Sequence, residues 1–558
     1  MTEKGFQKDG QDAEILVTFQ PQSRSCKVPE GRTIMAAAAS QAIDLRSDCG
    51  GRGKCGKCLV EVSPAAHVSK ITEIESQYLS DEVIKKGGRL ACRAQITGPL
   101  SVSVPQAGTD GREALGKSLE ADAINDVRPH LKSRSTGENS LGLAIDIGTT
   151  TLALYLCDLR SGAILHSAAE TNPQRRYGED VISRIAYSND HQQGLEILRT
   201  TIVEAINKLI GLCLENSGAD RQEIGKVTVV GNTTMQHLFA GLHPGKLGLS
   251  PYMPESCSAR HYRAADLGLA LNKECSVYLF PVVSGFVGGD TVGAMLWEKT
   301  YFRDEVSLII DIGTNGEIVL GNRESTWVAS CATGPALEGA HIECGMRASA
   351  GAIDTVAVDP INYLVDYTLI GEDTVRTPRG LCGSGIIDAV AEMVQAGLIL
   401  ANGRLCEGLP GIVVDEKGIG REFVIAEGGE SSDKYRIVLT LADIRQVQLA
   451  KSALGTGIQL LMKKAGIDKF ERLVLTGAFG ARFNWRNALV IGMLPEITSQ
   501  AEVTIVGNAA GRGAVLALLN EELRAEIELA AQNAHLLELA EDPDFGMEFA
   551  LQTTFPKR

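Results

Sequence analysis

Two stretches of this chain follow one pattern. LAIDIGTTTLALYL (143–156) and LIIDIGTNGEIVLGN (308–322) each run an apolar strand into Asp, turn on Gly-Thr, and return as a second strand. Such an echo predicts two lobes of similar fold, each offering its own β-hairpin. The turn is a phosphate device: small residues let backbone amides approach an anion, Thr hydroxyls add hydrogen bonds, and the Asp holds hydrated Mg2+. One Asp-x-Gly-Thr carries little information, because Asp-Gly turns are common in hairpins. A third element strengthens the pair: RLVLTGAFGARFN (472–484), a buried strand entering a Gly-rich turn suited to a flat adenosine. From Leu141 onward strands alternate with helices, so residues 141–558 are expected to form an α/β ATP-binding body with lobes near 141–300 and 301–558.

A second signal precedes that body. DCGGRGKCGKC (48–58) sets Cys49, Cys55 and Cys58 in C-x5-C-x2-C spacing, and Cys92 follows in GGRLACRAQI. One loop plus a distant cysteine is the plant-type ferredoxin solution for a [2Fe–2S] cluster; the longer first gap resembles the adrenodoxin-like branch. Glycines 50, 51, 53 and 56 let the backbone wrap closely and turn its N–H groups toward sulfide. Zinc is the chemical competitor, but structural zinc sites usually pair two C-x2-C knuckles and only one exists here. Arg52, Lys54 and Lys57 make a basic rim, either simply solvated or placed to stabilise the reduced cluster or dock an acidic partner. Cys331, Cys344 and Cys382 sit in glycine-rich loops without such a pair and read as small core residues.

Around the clamp, residues 1–105 read as a small β module. AEILVTFQP and SCKVPEG form a hairpin, TIMAAAASQAI a short helix, and KCLVEVS and LSVSVP further strands. Residues 106–140 are polar, mixed in charge and poor in large apolar side chains, which predicts a flexible linker with one weak helix at 112–126. Roughly 34 such residues span on the order of 30–35 Å. A net charge of −15 argues against nucleic-acid or anionic-membrane partners. The polar N-terminus and the lack of a long apolar run predict a cytoplasmic protein. Thirteen irregularly spaced cysteines argue against a secreted disulfide framework.

A catalytic base is harder to find. SGFVGGDTVGAML (284–296) sets Asp290 after a glycine pair, where it reads equally as a base acting on water and as a helix N-cap. Glu317, two residues past Asn315, is a second candidate. VVGNTTMQHLF (229–239), ATGPALEGAHI (332–342) and GLCGSGIIDAV (380–390) look like loops at helix starts, some of which should line the cleft. His237 reads as structural.

The order of these motifs resembles the superfamily of acetate and sugar kinases, heat-shock 70-type ATPases and actin, with its ribonuclease H-like lobes. The resemblance implies that Asp146, Gly148, Thr149 and Thr150 form a first phosphate motif, and Asp311, Gly313, Thr314 and Asn315 a second. Gly477, Ala478, Phe479 and Gly480 match its adenosine motif, and sugar kinases carry a Gly-Asp base at a place comparable to Asp290. The whole chain is similar to one family, the reductive activators of corrinoid enzymes. The clamp, IDIGTTTLALYL, VGNTTM, DIGTNGEIVL, ATGPALEGA, LCGSGIID, LTGAFG and LELAEDPDFGMEFA carry that resemblance. It implies a β-grasp [2Fe–2S] domain joined to an ATPase that restores a Co(II) corrinoid to Co(I) at the expense of ATP and Mg2+. The partners it implies are a corrinoid protein of a methyltransferase system and a low-potential electron donor; a homodimer is compatible with the sequence. Two departures stand out: the linker runs almost directly into Leu141 without a separate middle domain, and residues 521–558 hold no cysteine for the ferredoxin motifs some members carry there. The rival readings are an ATP-driven donor to a non-corrinoid enzyme, a small-molecule kinase with a redox domain, and a redox-sensing module that does not hydrolyse ATP.

Overall fold

A computed structural model describes residues 14–41, 43, 45, 51–53, 56–104, 140–371, 377–414, 420–427, 436–477, 483–496 and 501–556. The expected linker, with its helix at 112–126, lies outside them except for Ser140. The described residues fall into two compact units: the N-terminal module together with Pro173–Tyr187, and the remainder.

In the module, strand β1 (Glu14–Gln20) alternates exposed and buried side chains and pairs antiparallel with β2 (Arg24–Pro29). Helix α1 (Ile34–Ser40) starts where Thr33 accepts a hydrogen bond from the Ala36 amide at 3.2 Å, satisfying one of the first-turn donors. With β3 (Leu59–Ser63), β4 (Gly88–Leu90) and β5 (Leu100–Ser103) the sheet order is β2-β1-β5-β3-β4. The β1–β5 pair is parallel and the other pairs are antiparallel, which gives the expected β-grasp. Val17, Phe19, Ile34, Val60, Leu90 and Val102 form its buried centre. One buried ion pair anchors the strand that leads to Cys92. The Arg89 guanidinium donates to both oxygens of Glu75 (2.8 and 3.0 Å), and the Leu90 amide donates to Glu75 Oε1 at 3.1 Å. Burial pushes the Glu75 carboxyl upward, but Arg89 and the Thr72 and Leu90 amides outweigh it and hold the group below its ordinary range.

The second unit contains two six-stranded sheets of matching design. The first is built from β6 (Leu141–Ile147), β7 (Thr151–Asp158), β8 (Ile164–Thr171), β9 (Ile224–Gly231), β10 (Arg260–Arg263) and β11 (Ser276–Leu279). Its order is β10-β11-β9-β6-β7-β8. The second comprises β12 (Ser307–Ile312), β13 (Gly316–Gly321), β14 (Thr326–Cys331), β15 (Arg472–Gly477), β16 (Glu502–Ile505) and β17 (His535–Leu536), ordered β16-β15-β12-β13-β14-β17. In each, three antiparallel strands meet two parallel ones at the strand that ends in Asp-x-Gly-Thr. The predicted repeat is thus a repeat of topology, the five-stranded ribonuclease H-like order.

Two helices pack together in a hydrophobic core that both sheets share: α4 (Gly289–Glu298) and α7 (Ala509–Leu519). They cross through glycines, because a Cβ on Gly513 would stand 2.0 Å from the Gly293 carbonyl oxygen. Helices α2 (Gly194–Ser217) and α3 (Thr233–Ala240) link strands of the first sheet; α5 (Gly383–Gln395) and α6 (Leu441–Ala465) belong to the second half. No helix among the described residues is long and apolar enough to cross a membrane.

Candidate functional site

In the module, Cys58 and Cys92 are buried with their sulfurs 3.3 Å apart. That is too long for a disulfide and close to the spacing, about 3.8 Å, of two thiolates on one tetrahedral metal with bonds of about 2.3 Å. Cys49, Lys54 and Cys55 lie outside the described residues. Gly51, Gly53 and Gly56 all have positive φ, as the wrapping loop requires. The loop is packed tightly by its neighbours: a Cβ on Gly53 would enter the Arg93 guanidinium, and one on Gly56 would stand 2.7 Å from the Tyr78 ring. Arg93 Nη2 donates to the Arg52 carbonyl, while its Nε is buried without a partner among the described residues. A thiol pair, a loop of left-handed glycines and an orphaned N–H beside it fit a [2Fe–2S] group.

The cleft of the second unit gathers most of the other predicted residues. Asp146 ends β6 fully buried, and Asp311 occupies the corresponding place on β12. The two turns differ by one residue, since Ile147 pairs with Leu152 but Ile312 pairs with Gly316. Side chains brace each turn: Asn172 Nδ2 donates to the Gly148 carbonyl and Asn232 Nδ2 to Thr149 Oγ1, both at 2.8 Å. Thr333 Oγ1 donates to the Thr314 carbonyl at 3.0 Å. One expectation needs correction. The amides of Gly148 and Gly313 do not face a ligand; they close their own turns on Thr151 (3.1 Å) and Asn315 (2.9 Å). The hydroxyls of Thr150 and Thr314 instead converge from the two lobes on one carboxylate, Glu338, at 2.9 and 2.6 Å.

Asp290 is not the N-cap of α4. Gly288 holds that place and Asp290 is the second helical residue, accepting the Thr291 amide at 2.8 Å. Glycine is needed at 288 because a Cβ there would strike Asn232 Cα at 2.4 Å, and a Cβ on Gly289 would press on Phe280 Cβ at 2.9 Å and displace the Gln236 amide. The start of α4 is thereby pressed onto the start of α3, whose N-cap Asn232 also braces Thr149. Glu317 stands directly across the ladder from Asp311. Burial, then the charges of Asp290 and Asp311, raise its pKa well above the ordinary carboxylate range. The protonated form is thereby favoured more than in an ordinary carboxyl group. Gly477, with φ of 110°, flanks the same point: a Cβ there would lie 2.5 Å from Asp311 Oδ1. Ala478, Phe479 and Gly480 lie outside the described residues.

Glu317 makes stability depend on pH in a defined sense. Its folded pKa is raised, so the folded chain keeps a proton that the unfolded chain releases near its ordinary value of about 4.3. This contribution is complete below that value and is lost as pH climbs toward the folded pKa. The melting temperature of Glu317→Gln is expected to gain on wild type steadily from pH 5 to pH 8. A difference that is flat across that range would contradict the raised pKa.

Other candidates separate. His237 is structural, with Nδ1 2.7 Å from the Thr233 carbonyl and Nε2 accepting the Glu255 amide at 3.1 Å; burial lowers its pKa. Cys331 packs against Gly457, Cys344 bonds the 436–438 strand entry, and Cys382 donates to the Ile353 carbonyl, so the three do not meet.

Known proteins agree with this layout. Residues 17–97 match the 2Fe-2S iron-sulfur cluster binding domain, 141–301 the RACo middle region, and 305–558 the C-terminal domain of RACo, the ASKHA domain. The chain is 32% identical to the corrinoid activation enzyme RamQ of Eubacterium limosum over 97% of its length and 99% of that protein's. It belongs to the corrinoid activator family. A solved reductive activator for a corrinoid, iron-sulfur protein superposes on it with a TM-score of 0.69 at 31% identity, covering 97% of this chain and 98% of that one. A Co(II) methylated amine-specific corrinoid protein reductase of Methanosarcina barkeri is 24% identical over 63% of the chain and 66% of its own length. Membership in the activator family also revises one departure. The family's middle region is present and begins at Leu141, where the linker was expected to pass straight into the ATPase. That region carries the first of the two matching sheets.

Proposed function

We propose that this chain is an ATP-driven reductive activator: it delivers one electron to the Co(II) corrinoid of a corrinoid protein in a methyltransferase system, giving Co(I). An end-to-end likeness to proteins named for corrinoid activation and Co(II) corrinoid reduction supports the electron's target. One observation carries the ATP part. Hydroxyls of two opposed Asp-x-Gly-Thr turns converge on a single anionic group.

The [2Fe–2S] centre, held by Cys49, Cys55, Cys58 and Cys92, supplies a one-electron carrier when bound. The Arg89–Glu75 pair fixes the strand entering Cys92, and Arg93 belts the cysteine loop onto that strand. In the cleft, Thr149, Thr150, Thr314 and Asn315 take phosphate oxygens, and Asp146 and Asp311 hold hydrated Mg2+, which neutralises phosphate charge. Gly477, Ala478, Phe479 and Gly480 receive the adenosine. Burial and the neighbouring carboxylates disfavour the anionic form of Glu317, so the role of taking a proton from the attacking water is assigned to Asp290 or Asp311.

Nucleotide energy is needed because each 59 mV of adverse potential for one electron is tenfold in equilibrium, so about 120 mV leaves roughly 1% of the cobalt reduced. Binding or hydrolysis offsets this only if the nucleotide states differ in affinity for the two cobalt states. A low-potential donor refills the module, and the protein works in the cytoplasm. The test is to mix the protein, ATP, Mg2+, a low-potential reductant and a Co(II) corrinoid protein and follow the Co(I) absorption band. Phosphate transfer to a small molecule with no Co(I) band would favour the kinase reading instead.

A further inference from the structure

Glu338 belongs to neither Asp-x-Gly-Thr turn, yet it joins them. It ends the short turn Pro335–Glu338 after β14, between Gly334 and Gly339, both at positive φ. The turn is rigidly seated. Ala336 and Leu337 are buried, the Gly339 amide donates to the Ala336 carbonyl at 3.0 Å, and a Cβ on Gly339 would stand 2.4 Å from the Met346 carbonyl oxygen. From this support the half-buried carboxylate reaches Thr150 of the first lobe with one oxygen and Thr314 of the second with the other. Among the described residues no lysine, arginine or histidine forms an ion pair with it.

Each threonine hydroxyl has a single proton to donate. A proton given to Glu338 is not given to a phosphate oxygen, and a carboxylate beside a phosphate chain repels it. We propose that Glu338 is a built-in competitor for the phosphate end of the nucleotide. Its carboxylate bridges the two turns through Thr150 and Thr314, and binding of the nucleotide takes both hydroxyls from it. The inference rests on the reading that these turns bind nucleotide phosphates. It makes Glu338 a positioning residue: the contact that ties the lobes together is the contact that nucleotide must replace, so occupancy of the cleft and the relation of the lobes become one equilibrium.

The test compares ADP binding by the full-length wild type and Glu338→Gln, by calorimetry, with and without Mg2+. Glutamine keeps the size, loses the charge and has one acceptor oxygen in place of two, so the threonine that faces its NH2 group keeps its hydroxyl proton free for a phosphate. The variant is expected to bind ADP about tenfold more tightly in both conditions, the size of one like-charge repulsion screened in a cleft. Glu338→Asp, which keeps the charge but shortens the reach, is expected to tighten binding less. Unchanged or weaker binding by both variants would overturn the proposal. Weakening seen only with Mg2+ would also overturn it, since Glu338 would then be a metal-bridging ligand. A lower melting temperature with unaltered affinity would reduce the contact to a structural clamp. If the wild type binds no adenine nucleotide, the failure lies with the nucleotide reading itself.

Discussion

Cys92→Ala is expected to abolish Co(I) formation while leaving ATP hydrolysis within about twofold of wild type. The Sγ atoms of the buried Cys92 and Cys58 lie 3.3 Å apart, Cys92 follows a strand fixed by a buried ion pair, and on the proposed ligand set the substitution removes one of four thiolates from a group that needs all four. The visible absorption and the low-temperature EPR signal of the reduced protein should be lost together. The two-hairpin cleft belongs to a different compact unit, with its own core and its own sheets, so its turnover should persist. Retained Co(I) formation in this variant would place the electron path elsewhere. Concurrent loss of ATP hydrolysis would mean that the module is needed for the second unit to fold or turn over.

Asp311→Asn is expected to lower ATP hydrolysis at least a hundredfold, the lower end of what a positioned acid–base group contributes. Stability should move the other way. Burial, then the charges of Asp290 and Asp311, push the Glu317 pKa up, and neutralising Asp311 relieves part of the repulsion within this carboxyl cluster. The variant should therefore melt at the same temperature as wild type or higher, with the Glu317 pKa brought down toward its ordinary value. A loss of activity accompanied by a clear fall in melting temperature would assign Asp311 a structural role. Activity within a fewfold of wild type would leave Asp290 as the base.

The features legible in the sequence are those whose physics is local. A strand ending in Asp-x-Gly-Thr, a cysteine loop dense in glycine, and the alternation of EILVTFQ each declare themselves within a dozen residues. The echo between 143–156 and 308–322 reached further, because two copies of one hairpin imply two copies of its sheet, and the orders match over five strands, the sixth lying at opposite edges. What escaped depends on tertiary approach. Asp290 looks like an N-cap until Gly288 and Gly289 are seen pressed against Asn232 and Gln236, which moves the helix start back two residues. The pairing of Glu317 with Asp311 follows from a three-residue turn, but its raised pKa needs Asp290 brought in from another element. Glu338 was within sight as the one acid of GPALEG, a turn held between two left-handed glycines. Nothing in that segment says that it lies between turns from two lobes. Arg93 likewise reads as an ordinary residue after a cysteine until its guanidinium is found against Gly53.

The central claim is that nucleotide in the two-hairpin cleft makes an uphill one-electron reduction proceed. It is tested most directly by the yield of Co(I) from a Co(II) corrinoid protein, with and without ATP, using a donor poised above the cobalt couple. At a gap of about 120 mV the account predicts roughly 1% Co(I) without ATP and a yield many times higher with it. Equal yields in the two mixtures would contradict it.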